Sequence, residues 1–109
     1  MNWQKEFPAA ITVSDAENKI IYMNDKSLQA FANDGGSKLI GSNLFECHSE
    51  PSNEKIQEII SGKKPNVYTI EKNRKKKFIY QTPWFEEGEY KGLVELSIEI
   101  PFDMPHFVR

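Results

Sequence analysis

The stretch Phe45-Glu46-Cys47-His48-Ser49-Glu50-Pro51-Ser52 sets the chain's only cysteine beside one of its two histidines. A thiolate and an imidazole could hold a metal, act as nucleophile and base, or leave the imidazole as the axial ligand of a haem. Each role needs its own geometry. Neighbours on an extended segment point to opposite sides, so both cannot easily grip one ion. No further ligand stands at zinc spacing, since His106 lies in the distant tail, and no metal site is expected. A nucleophile needs a base and an orienting group, which sequence neighbours rarely supply. The chain also lacks paired carboxylates at a catalytic spacing, a phosphate loop and a triad-like set, so no enzyme is expected.

Haem needs one histidine on the wall of an apolar cavity. His48 stands just before an apolar-periodic run, and Leu44, Phe45, Ile56 and Ile60 could line such a cavity. The plainer reading makes Cys47 a small buried residue and His48 a local hydrogen-bonding group. The segment is then the way into a helix capped by Ser52, or by Ser49 if the helix starts a turn earlier. Both readings stay open on the residues alone.

The run Lys72 to Lys77, "KNRKKK", is the one basic block. It could meet phosphates, but no aromatics interleave to stack bases. The expected role is a solvated hairpin tip whose charges discourage edge pairing, with no nucleic-acid partner.

These residues sit in a chain of 109, with 28% charged and 39% apolar residues and a net charge of −2. That suits one ordinary globular domain and implies no polyionic partner. One cysteine excludes an intrachain disulfide and fits a reducing compartment. No signal-peptide pattern opens the chain, and no apolar run reaches the roughly 18 residues of a membrane helix. The expectation is a complete cytoplasmic protein with no membrane contact.

Period and punctuation give the elements. Trp3 and Phe7, four apart, suggest a short flanking helix over residues 1–8. "AITVS" (10–14) and "KIIYM" (19–23) read as strands around the turn at Asp15 to Asn18. Asn24 or Asp25 caps a helix carrying Leu28, Phe31 and Ala32. "SKLIGSNLFE" reads as short helical turns broken at Gly41. A further helix shows Ile56, Ile59 and Ile60, with Gly62 at its left-handed end. Three strands follow: 66–71, 76–85 with Pro83 as a bulge or exit, and 89–100. In the last, Val94, Leu96, Ile98 and Ile100 alternate with polar residues. Strands and helices that do not alternate one for one predict an α+β fold, with an antiparallel sheet covered on one face by helices.

The ordered set of "AITVSDAENKIIYMND", "LIGSNLFECHSEPSNEKIQEIISGK" and "YQTPWFEEGEYKGLVELSIEI" resembles a PAS domain over residues 8 to 100 or so. The resemblance implies a five-stranded sheet in the order 2-1-5-4-3 and a sensory domain over 9–100; beyond it, Phe102, Met104 and Phe107 make residues 101–109 an apolar tail. It implies sensing or protein interaction in signal transduction, with a cavity that holds haem, flavin, a small metabolite or side chains alone. No cofactor is required by it. "FECHSEPS" lacks the Asn and Arg neighbours of the flavin-adduct type. The candidate pocket is Leu44, Phe45, Cys47, His48, Ile56 and Ile60, with Val94 and Leu96 from the last strand; the haem alternative uses His48. The resemblance also implies a homodimer through the outer sheet face and the N-terminal segment. Trp3, Phe7, Ile79 and Trp84 are the candidate interface. A separate protein would receive the signal.

Overall fold

The computed structural model describes residues 1–44, 50–62 and 64–109, and of Glu50 to Asn53 and Lys55 the backbone alone. The elements are β1 (Ala10–Ser14), β2 (Ile20–Met23), α1 (Asp25–Ala30), two 3-10 turns (Ala32–Asp34 and Gly36–Leu39), α2 (Glu50–Gly62), β3 (Asn66–Lys72), β4 (Lys75–Glu86) and β5 (Glu89–Ile100). The strands form one antiparallel five-stranded sheet in the order β2-β1-β5-β4-β3. The expected α+β class and strand order are both present.

Turn chemistry fixes the hairpins. Asp15 Oδ1 accepts from the amides of Glu17 and Lys19 at 2.9 Å, closing the β1–β2 turn. This is the local side-chain bonding that favours Asp in turns. Asn73 and Arg74 have φ of 54° and 63°, and Glu87 and Gly88 have 53° and 81°. Two successive positive φ values match the right-handed twist of the flanking strands and give tight two-residue loops.

A bulge between Trp84 and Phe85 shifts the β4–β5 register by one residue, so that Trp84 lies opposite Gly92. From there Gln81 faces Glu95, Tyr80 faces Leu96 and Ile79 faces Ser97. Pro83 was expected to bulge or end its strand; instead it stays within β4, paired with Leu93. It lies beyond the last β3 partner, Gln81, where β4 has one neighbour only and a missing N–H is tolerated.

The register sorts the strands into two faces. Ala10, Thr12 and Ser14 of β1, Ile79 and Gln81 of β4, and Leu93, Glu95 and Ser97 of β5 share the helix-covered face. Val94, Leu96 and Ile98 pair with Thr82, Tyr80 and Phe78 on the opposite parity. The core gathers Ile20, Met23, Leu44, Ile56, Ile59 and Leu93, with Leu28, Phe31, Leu39 and Ile60 packed against it. Ile56 and Ile59 press the α2 stripe onto the sheet, as the three-residue spacing requires.

Three local expectations change. Residues 3–6 form hydrogen-bonded turns, from Lys5 N to Asn2 O and from Phe7 N to Gln4 O, both 3.4 Å, instead of a helix. Trp3 and Phe7 still meet edge to face at 5.4 Å between centroids. Helix α2 begins at Glu50, so Ser52 lies inside it, and the alternative cap, Ser49, lies outside the described residues. Gly62 closes α2 without entering the left-handed region.

Candidate functional site

Helix α1 is positioned by one side chain. Asn24 is 1% exposed and caps the helix. Its Oδ1 accepts from Ser27 N at 3.0 Å and from Ile11 N at 2.9 Å. Its Nδ2 donates to Gln4 O at 2.9 Å and Ala9 O at 2.8 Å. One amide thus joins helix, first strand and N-terminal segment with its bonding capacity filled. The Lys5–Asp25 ion pair at 3.2 Å lies beside this junction on the surface, where it adds little. Ser27 is fully buried and shares a hydrogen bond with Thr12 Oγ1, which fastens α1 to the inner sheet face.

Between that face and the helices lies a cavity of about 310 Å³. Its apolar wall is built by Ile20, Met23, Phe31, Leu39, Leu44, Ile56, Ile59 and Leu93. The sheet supplies polar groups: Thr12, Ser14, Gln81 and Glu95, with Asp34 at an exposed position. A second concavity, lined by Tyr68, Ile70, Lys72, Lys77 and Ile79, shares Phe31, Ile56, Gln81 and Glu95 with the first.

The polar groups form a row across three strands. Asn66 Nδ2 donates to Gln81 Oε1 at 3.0 Å, and Gln81 Nε2 donates to Glu95 Oε2 at 2.6 Å. Register carries the row on, because Thr12 of β1 lies opposite Glu95. A short bond to a carboxylate is charge-assisted and holds the Gln81 amide in one orientation. Burial first, and the Glu95 carboxylate second, raise the Tyr68 phenol above its ordinary 10.0.

Tyr68 makes this arrangement measurable. A folded-state pKa above the unfolded value means stability that is fully present below pH 10.0 and is lost as pH rises through the folded value. Denaturant midpoints should therefore fall as pH climbs past 10.0, and Tyr68→Phe should flatten part of the fall. Only part is expected, because burial and then Asp15 raise Tyr90 as well. Equal slopes for both proteins would show that neither burial nor Glu95 raises Tyr68.

The residues expected to form the pocket are distributed unevenly. Leu44 and Ile56 line the cavity, and Ile60 packs behind it against the core. Val94 borders it from a position whose cross-strand neighbours, Val13 and Thr82, do not. Leu96 pairs with Tyr80 and Ile11 and lines neither concavity, so it does not belong to the pocket. Phe45, Cys47 and His48, with the haem alternative, lie outside the described residues. Among the interface candidates, Ile79 is 5% exposed on the inner face and so cannot form an outer contact. Trp3 and Phe7 are exposed. Trp84 is half-buried, and its Nε1 donates to Ser14 O at 3.0 Å.

The residues that sequence reasoning missed are Asn66, Gln81, Glu95, Thr12 and Ser14. For Glu95 the signal was the polar parity of the last strand; the others become visible only through cross-strand pairing. The basic block is split between two environments. Lys72 and Lys77 border the second concavity, while Lys75 pairs with Glu99 at 3.6 Å. Among the described residues no cluster of His, Cys, Asp and Glu could hold a metal, and no helix is long and apolar enough to cross a membrane.

No protein-family model matches the chain, and no curated protein does. Solved structures do. The PAS domain of BvgS from Bordetella pertussis superposes with a TM-score of 0.63 at 18% identity, covering 90% of this chain and 81% of that one. The PAS domain of an HTR-like protein from Haloarcula marismortui gives 0.60 at 19%, covering 91% and 87%. The chain has the PAS fold. A third PAS structure is the Aer2 receptor from Vibrio cholerae, described as a dual PAS-heme oxygen sensor, with a TM-score of 0.64 at 20% identity and covering 85% and 95%. In this PAS fold the cavity and its polar row lie between the sheet and the helices.

Proposed function

We propose that this PAS-like domain is a sensory module of signal transduction, non-enzymatic, whose cavity takes a small ligand. The observation that carries the reading is a cavity of about 310 Å³ with apolar walls and a single polar row. Few, fixed polar groups on an otherwise apolar concave surface are the usual makeup of a small-molecule site. The PAS fold of sensor proteins supports the same reading by analogy. Output passes to a separate protein in the cytoplasm through a homodimer. The outer face, with Phe78, Tyr80, Leu96 and Ile98 half-buried, is the proposed contact.

Two measurements test this. Amide shifts at Thr12, Ser14, Leu93 and Glu95 should respond to small probe molecules that also raise Tm. Probes that bind without moving those amides would remove the cavity from the reading. Light scattering should show a dimer that Tyr80→Glu weakens; a concentration-independent monomer would sink the dimer. The haem alternative predicts a stoichiometric Soret band after reconstitution, lost in His48→Ala.

A further inference from the structure

The first cavity has an unequal charge. Among its described lining residues are two carboxylates, Glu95 and Asp34, and no lysine or arginine. Glu95 accepts through Oε2 from a neutral amide, and no protein donor meets its Oε1 among the described residues. Glu95 is half-buried, and Gln81 occupies one of its two oxygens, which leaves the other open to a partner. Ser14 gives a second, independent sign. Its side chain lines the same cavity at 2% exposure, and its Oγ has no hydrogen-bond partner. A buried hydroxyl without a partner in a native fold calls for one.

We propose that the cavity selects a small organic cation with an apolar body, an amine whose ammonium group pairs with Glu95 and whose second polar atom reaches Ser14 Oγ. The inference rests on the reading that the cavity is a ligand site. The spacing fits one small molecule. Thr12 lies opposite Glu95, and Ser14 is two residues further on the same face, about 7 Å along the strand. Ile20, Met23, Leu44 and Leu93 enclose the space and suit a hydrocarbon or aromatic body. An ammonium–carboxylate bond is stronger than its neutral equivalent, and more so away from water. An anion would meet two like charges. Gln81, held by Asn66, keeps the Glu95 carboxylate aimed.

The test compares three probes of one shape: benzylamine, benzyl alcohol and benzoate. Titration of the full chain should give benzylamine an affinity at least about tenfold above benzyl alcohol, with benzoate weakest. Glu95→Gln retains an acceptor for Gln81 and should abolish the preference. Asp34→Asn, at the exposed position, should change it by no more than two- or threefold. In the wild type, benzylamine should shift the amides of Thr12, Ser14 and Glu95, which reads the site without any substitution. Equal affinity for amine and alcohol, a preference that survives in Glu95→Gln, or shifts confined to other surfaces would overturn the inference. Benzyl alcohol binding in the cavity with no amine preference would overturn the charge selection alone and leave the ligand site standing. Binding by none of the three would overturn both.

Discussion

Gly92→Ala is expected to cost about 3–5 kcal/mol, enough to abolish most of the stability of a domain this size. A Cβ at residue 92 would stand 1.9 Å from Ser14 O and 2.7 Å from Ser14 C. Both are backbone atoms of the neighbouring strand, so no rotamer change relieves the clash. The φ of 146° adds strain for any side chain. The same carbonyl accepts from Trp84 Nε1, and separating β1 from β5 would break that bond too. Chemical denaturation, or loss of a dispersed amide spectrum, would measure the effect. An alanine variant within about 1 kcal/mol of wild type would mean that β1 and β5 are not packed this closely.

Asn24 gives the second large effect. Asn24→Ala removes a helix cap, worth about 1 kcal/mol. It also strands the Ile11 amide and the Ala9 carbonyl in a nearly water-free site, while the Gln4 carbonyl keeps its bond from Phe7 N. Each buried group left unpaired costs about 1–3 kcal/mol, so the two groups and the cap together give an expected loss of about 3–7 kcal/mol. Asn24→Asp separates the two contributions. It keeps the acceptor for Ser27 and Ile11 but turns oxygen toward two carbonyls. Asp caps helices as well as Asn does. A loss in Asn24→Asp close to that of Asn24→Ala therefore identifies the two donated bonds as the larger share. A stable Asp variant would limit the residue's role to capping.

The local elements were legible because their signals are local. Strands at 10–14 and 89–100 coincide with β1 and β5, and Asn24 caps as its position suggested. The hairpin turns were legible as well, from Asp15, Asn73 and Gly88. The PAS strand order followed from the ordered motifs. The faces were not legible. Val94 and Leu96 were assigned to the pocket, and Ile79 to the outer contact. The register turns Leu96 outward and Ile79 inward, while Val94 still borders the cavity. Alternation identifies the two faces of a strand but not which of them the helices cover. Here the apolar side chains of the cavity come largely from helices and turns, while the sheet contributes a polar row. The row needs cross-strand pairing to become visible, since Asn66, Gln81 and Glu95 are far apart along the chain.

The bulge between Trp84 and Phe85 acts as a phase shift in the protein's own code. Counted from the Glu87–Gly88 turn without it, Gln81 would stand opposite Val94, and the whole of β5 would turn over relative to β4. The carboxylate in the cavity and the aliphatic row outside would trade places through one residue's bookkeeping. Length in this hairpin is therefore information, as much as residue type is. A lineage of such chains could lengthen the tip at Asn73–Arg74 with little effect. One residue lost at the bulge would rewrite both surfaces of the sheet without changing a single side chain.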